Sequence, residues 1–216
     1  MKTNKHLIIS GILFSIVLFL WPIFMGIAQP EGTVVEQLNW IRHNTTIFKI
    51  QFFFAFLIAP SILYIMFSQL NDYKADNSIS SKIGLIFLTG YVVMDSISYA
   101  SQIIIVPNYI HSGSLEQASV WYLNSTTSVT YFINQLGYCF WGIASIILFS
   151  KLILGKGMIK YLSMIYILSA TLSIVAFVGL IMDNTFLNSM TFLSGLLLLP
   201  VGIMTVIWGI RENKSK

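Results

Sequence analysis

"IGLIFLTGYVVMDSISYASQIIIV", residues Ile83 to Val106, carries a single charged residue, Asp95, and Lys82 stands immediately before it. An α-helix needs about 20 mainly apolar residues to cross about 30 Å of hydrocarbon, and this run is long enough. Similar runs recur along the chain. The expected spans lie near Leu7–Ala28, Thr46–Leu70, Lys82–Val106, Ser128–Ile153, Met158–Met182 and Leu187–Ile210. Composition agrees: 56% of the 216 residues are hydrophobic and 9% are charged, against about 45–50% and about 25% in soluble domains. The expected fold class is all-α, a polytopic six-transmembrane-helix bundle forming one integral membrane domain over residues 1–216, without an internal repeat.

The first run has a competing reading. Lys2 and Lys5 precede it, and Gly26-Ile27-Ala28 resembles a small-residue cleavage site. Its apolar core exceeds the about 7–15 residues of a secretory signal, so an uncleaved helix is expected, with cleavage as the alternative. Charge sets the expected orientation. With a cytoplasmic N-terminus, the inner segments hold Lys2, Lys5, Lys74, Lys82, Lys151, Lys156, Lys160, Arg211, Lys214 and Lys216, ten of the 12 basic residues, and Arg42 and Lys49 fall outside. Both termini are therefore expected in the cytoplasm. The net charge of +4 is spread over short juxtamembrane segments that suit an anionic leaflet, and it calls for no nucleic acid. The lipid bilayer is the expected partner, and the oligomeric state is left open.

Asp95 is expensive where it stands: an aspartate at the centre of a span costs about 2.5–3.5 kcal/mol on insertion scales. Tyr91, Asp95, Ser98, Tyr99 and Gln102 recur at helical spacing and form one face of the third span. Tyr131, Asn134, Gln135, Tyr138, Gly142 and Ser145 form a matching face of the fourth. The two faces are expected to turn toward each other, with Gln102 and Asn134 in the outer half and Asp95 at the level of Tyr138 or below. Gln51 and Lys49 could assist from the second span, although Lys49 is expected rather to snorkel to the interface. Two readings stay open for the paired faces: interhelical glue, worth about 0.6 kcal/mol per hydrogen bond on average, or a ligand, proton or ion site.

Prolines Pro22, Pro60 and Pro200 lie within or near spans, where each frees a carbonyl; they either open space between helices or only bend them. The outer segments "PEGTVVEQLNWIRHNTT" and "SGSLEQASVWYLN" have helical apolar spacing and fit short interfacial helices, as a lid over the bundle or as surface packing. Ser114 and Gln117 match a capping box in the second. "GKG" at Gly155–Gly157 is a tight turn that makes the fourth and fifth spans antiparallel neighbours. Cys139 is the single cysteine, so no intramolecular disulfide can form, and it reads as a packing residue. No His-Glu-x-x-His site, phosphate loop or Gly-x-Ser-x-Gly elbow is present, and neither catalytic nor metal-ligating residues nor cofactors are assigned. His43 and His111 share the outer side with Glu31, Glu36 and Glu116, but nothing in their spacing gathers them. Asp183 reads as a solvated boundary residue.

The run from Asn134 to Ala170, "NQLGYCFWGIASIILFSKLILGKGMIKYLSMIYILSA", with "PVGIMTVIWGIRENK" from Pro200, resembles a family of six-span bacterial membrane proteins of unknown function. The turn after the fourth span in that family reads hydrophobic, Pro, Arg or Lys, Trp, Leu, Ser. Met158, Ile159, Lys160, Tyr161, Leu162 and Ser163 stand there in this chain, without the proline. The acidic residue of the family's last helix also has no counterpart between Asp183 and Glu212. The resemblance implies a bacterial plasma membrane and six helices, and no activity.

The leading functional expectation is a pocket between the third and fourth spans that binds or passes a small or lipophilic ligand. Its ligand-binding residues would be Asp95, Tyr91, Ser98, Tyr99, Gln102, Asn134, Gln135 and Tyr138. The alternatives are an accessory or immunity-type subunit without a ligand site, and an intramembrane enzyme with Asp95 and Tyr99 or Tyr138 as acid and base. The enzyme reading requires strong tuning of a tyrosine from about 10.

Overall fold

The computed structural model describes residues 2–28, 30–73 and 78–214; Lys74 and Lys216 of the expected basic segments lie outside them. The helices in order are α1 (Lys2–Ile27), α2 (Val34–His43), α3 (Thr45–Asp72), α4 (Ile79–His111), α5 (Leu115–Trp121), α6 (Val129–Phe149), α7 (Met158–Ile181), α8 (Thr185–Asn188), α9 (Met190–Leu197) and α10 (Leu199–Lys214), with a 3-10 turn at Ser150–Leu154 after α6. Among the described residues there is no strand. Six segments are long and apolar enough to cross a membrane: α1, α3, α4, α6 with its 3-10 turn, α7, and the last three helices in series. The expected all-α, six-span bundle is the observed fold.

The spans close into a ring in chain order. α1 packs on α3, α3 on α4, α4 on α6, α6 on α7, α7 on α9 and α10, and α10 returns to α1. An even number of crossings brings the first and last spans to the same end, here named the termini end. α2 and α5 lie at the opposite, loop end. Ring closure depends on small residues, the usual device where lipid supplies no hydrophobic drive between helices. A Cβ on Gly11 would lie 2.7 Å from the Gly202 carbonyl oxygen, and one on Gly202 would lie 2.8 Å from that of Gly11. The termini half is filled by Leu7, Phe14, Met66, Leu148, Leu162, Tyr166 and Trp208. Below the middle of the bundle, Gln69 Nε2 donates to Thr205 Oγ1 at 2.7 Å and joins α3 to α10.

The prolines act unequally. α1 and α3 run unbroken through Pro22 and Pro60, whereas the sixth span breaks at Leu198, two residues before Pro200. Pro200 has no N–H to return to Leu196, and the chain tightens there, Leu198 N donating to Gly195 O and Val201 N to Leu198 O. The third span exceeds the expected Lys82–Val106: α4 starts from the Ser78 cap and runs through Pro107 to His111. Its last turn is held from outside, because Arg42 of α2 donates to the Ile110 carbonyl at 3.2 Å. The loop-end capping box belongs to α2, where Thr33 and Glu36 satisfy each other's backbone; Ser114, expected in that role, makes no side-chain cap to α5.

Replacing Gly202 by Leu should destabilise the protein by about 1–3 kcal/mol through forced separation of α1 and α10. Gly195→Ala should not, because a Cβ there meets open space. Thermal unfolding of the two variants in detergent checks this, and equal melting temperatures would contradict the ring-closing role of the crossing.

Candidate functional site

Asp95 is 16 residues from each end of α4 and fully buried. As expected, the polar faces of α4 and α6 meet. Asn134 Nδ2 donates to Asp95 Oδ1 at 2.9 Å, and the Tyr99 and Tyr138 hydroxyls share a hydrogen bond of 2.8 Å. Asp95 stands beside Gly137, at the expected level of Tyr138, and its contact with Asn134 reaches one turn toward the loop end. Gly137 permits it, since a Cβ there would stand 3.2 Å from Asp95 Oδ1 and from Met94 Cβ. Tyr91 adjoins the same carboxyl, yet neither its hydroxyl nor Asp95 Oδ2 reaches hydrogen-bond geometry. Tyr91 also packs its ring near those of Tyr138 and Trp141, at 6.0 and 6.5 Å between centroids.

The ring encloses a cavity of about 630 Å³ on the inner side of these residues. Its α6 wall runs from Tyr131 to Trp141, about 15 Å at 1.5 Å per residue, or half the hydrocarbon thickness. The loop-end border is formed by Pro30, Gln37, Leu123, Asn124, Asn188 and Ser189, and the floor by Ile58, Ile62, Trp141 and Leu198. The α1 wall is apolar, with Leu18, Trp21, Pro22 and Met25, and the α9 wall is mixed, with Thr191, Phe192, Ser194 and Gly195. Among the described residues, none bearing Lys, Arg, His, Asp or Glu side chains borders it. Of the bordering residues, Gln51, Tyr91, Trp141 and Asn188 each carry a buried polar atom without a protein partner. Such an atom costs about 1–3 kcal/mol unless water or a ligand satisfies it.

Five of the eight expected ligand-binding residues border the cavity: Tyr91, Tyr99, Asn134, Gln135 and Tyr138. Asp95 stands behind them. Ser98 turns to the Thr130 carbonyl at 3.2 Å, and Gln102 is taken up by the connection into α6. Gln102 Nε2 donates to Trp121 O at 2.7 Å and its Oε1 accepts from Leu123 N at 3.0 Å. Gln51 borders the cavity and Lys49 does not. The walls from the first and sixth spans were absent from the sequence expectation. Their only sequence signal is the spacing of Asn188, Thr191 and Gly195 ahead of Pro200, which the surrounding leucines and phenylalanine dilute. Thr191 Oγ1 donates to Gln135 Oε1 at 2.8 Å and Asn188 Nδ2 to the Tyr131 hydroxyl at 2.6 Å, so α8 and α9 are tied to α6 across the cavity edge. Ser194 is tied back to Ser169 and Ser173 of α7 at 2.8 and 2.7 Å.

α2 and α5 pack on each other over the loop end. Tyr122 joins them to the cavity rim, donating to Gln37 Oε1 at 2.8 Å and accepting from Asn124 Nδ2 at 3.0 Å. Burial pushes the Tyr122 hydroxyl up to about 12, so it remains a donor at neutral pH. At the other end of α2, the Thr33 backbone and side chain hold the Glu36 carboxyl below its ordinary value. No group of three or more potential metal ligands is gathered among the described residues.

Two outcomes follow from this geometry. Asn134→Leu should lower stability by about 1–3 kcal/mol by stripping Asp95 of its donor, and Asp95→Leu in the same chain should restore part of the loss. Additive losses in the double-mutant cycle would contradict the pairing. For Glu36 the folded value is depressed, so its contribution is present above the unfolded value and fades as pH falls through the folded one. The protection factors of the α2 amides, corrected for the intrinsic pH dependence of exchange, should therefore fall between about pH 6 and about pH 3, across the ordinary Glu range, and Glu36→Gln should remove that dependence. Comparison of the chain with protein-family models, curated proteins and solved structures finds no match.

Proposed function

We propose that the chain binds a small lipophilic ligand in the ring cavity, on the paired polar faces of α4 and α6. The observation that carries this reading is the cavity itself: large enough for a ligand, since typical sites occupy about 300–1,000 Å³, rich in aromatic rings, and bordered by four residues with unpartnered polar atoms. The binding residues we propose are Tyr91, Tyr99, Asn134, Gln135 and Tyr138, with Gln51, Trp141 and Asn188 added; Asp95 orients Asn134 from behind. The basic-residue asymmetry and the family resemblance support a bacterial plasma membrane, cytoplasmic termini and a loop end facing outward.

A second reading has its own support. Asp95 with Asn134, Tyr99 with Tyr138, and Ser194 with Ser169 and Ser173 are bonds between helices, as expected of an accessory or immunity-type subunit whose polar stripes only hold the bundle. Native mass spectrometry of gently extracted protein separates the two. The ligand reading expects a small-molecule adduct on the wild type that is lost in Gly195→Phe, whose ring would occupy the open space beside Gly195 while helix α9 is retained. Bare wild-type protein that instead co-purifies with a second polypeptide would favour the subunit reading.

A further inference from the structure

Resting on that binding reading, we infer that the ligand is an uncharged amphiphile taken sideways from the bilayer leaflet at the loop end, through a gap between α1 and α9.

The polar chemistry of the cavity defines the head. Its donors and acceptors are amides, hydroxyls and an indole N–H from Gln51, Tyr91, Asn134, Trp141 and Asn188. A phosphate or carboxylate head would find no cation among the described bordering residues, and desolvating it at half-membrane depth without a partner is costly. A cationic head would find no carboxylate in contact either, because Asp95 is fully buried behind Tyr91, Tyr99, Asn134 and Tyr138 and already accepts from Asn134. A hydroxyl, ester or amide head can exchange hydrogen bonds with the unpartnered atoms and leaves no charge uncompensated. The apolar α1 wall and the floor at Ile58, Ile62 and Leu198 suit its chain.

The route follows from how α1 is held. Near the termini end it is pressed to α10 at Gly11 and Gly202. Toward the loop end it follows α3 instead, with Phe24 and Phe54 stacked at 4.9 Å, and no comparable packing joins it to α9. The sixth span is interrupted at Leu198, so α9 and α10 are not one continuous helix. Pro22, Phe192 and Leu196 are consequently cavity-bordering and also exposed, and in a membrane such exposure faces acyl chains. The aperture is lined by prolyl, phenyl and isobutyl groups, passable for a hydrocarbon chain and unfavourable for a free ion.

Three probes with one chain length test head charge: 1-oleoylglycerol, oleylamine and oleate, each also as its dibromo-stearoyl analogue. Bromine quenches tryptophan by contact, and Trp21 and Trp141 border the cavity. In the purified full chain the uncharged probe should quench saturably and raise the melting temperature, at least about tenfold more tightly than either charged probe. Gly195→Phe should abolish that quenching with its own melting temperature preserved. Leu196→Trp, at the aperture, should slow association from vesicles several-fold while leaving the order of the three probes unchanged. Tighter binding of oleylamine or oleate overturns the uncharged head while leaving a ligand-binding cavity standing. Saturable binding at an unchanged rate in Leu196→Trp overturns the lateral route. Absence of saturable quenching by all three overturns the inference, and the wild-type mass spectrum then decides whether the cavity binds anything.

Discussion

The hydrogen bond from Asn134 to Asp95 organises the half of the bundle in which the cavity lies. Hydrocarbon offers a carboxyl group neither water nor a donor, so a span with aspartate at its centre folds stably only when that residue is turned to protein. α4 has one such orientation, and it brings Tyr91, Ser98, Tyr99 and Gln102 inward on the same face. α6 must then present its own polar face, and Gly137 lets the two backbones approach closely enough for the bond at 2.9 Å. The tyrosines that shield the carboxyl become a wall of the cavity.

The other walls answer to different constraints. The termini half closes because Gly11 and Gly202 remove the side chains between α1 and α10 and the space fills with large apolar groups. The loop half stays open because α1 leaves for α3 and the sixth span breaks before Pro200. α9 is then positioned by serines toward α7 and by Thr191 toward Gln135, and not by contact with α1. Tight and open halves of one ring thus result from where glycine and proline fall in the first and sixth spans.

Much of this was legible from residue spacing. Six apolar runs and the period of the polar residues around Asp95 and Asn134 were enough to place the spans and to face α4 toward α6. The register was legible too, with Asp95 beside Gly137 at the level of Tyr138, but spacing along one helix did not specify that the donor would be Asn134, one turn along α6. Gln102 and Ser98 share the polar face with Asp95 but serve the connection into α6, since that face is longer than the cavity is deep. The α1 and α9 walls were hidden for a different reason. Trp21, Met25 and Phe192 look the same in sequence whether they face lipid or a cavity, and only the closed ring separates the two. The break at Leu198 follows from a visible proline, but Pro22 and Pro60 are equally visible and leave their helices continuous.

Ligand binding in the ring requires an occupied space among Trp21, Trp141 and Gly195. An experimental structure of the full chain in lipid nanodiscs, with no ligand added, addresses it most directly. Elongated density is expected there, its polar end beside Gln51, Tyr91 or Asn188 and its tail leading toward Phe192 and Leu196. A collapsed ring, with Leu198 packed on Trp141 and no density between the helices, would contradict it.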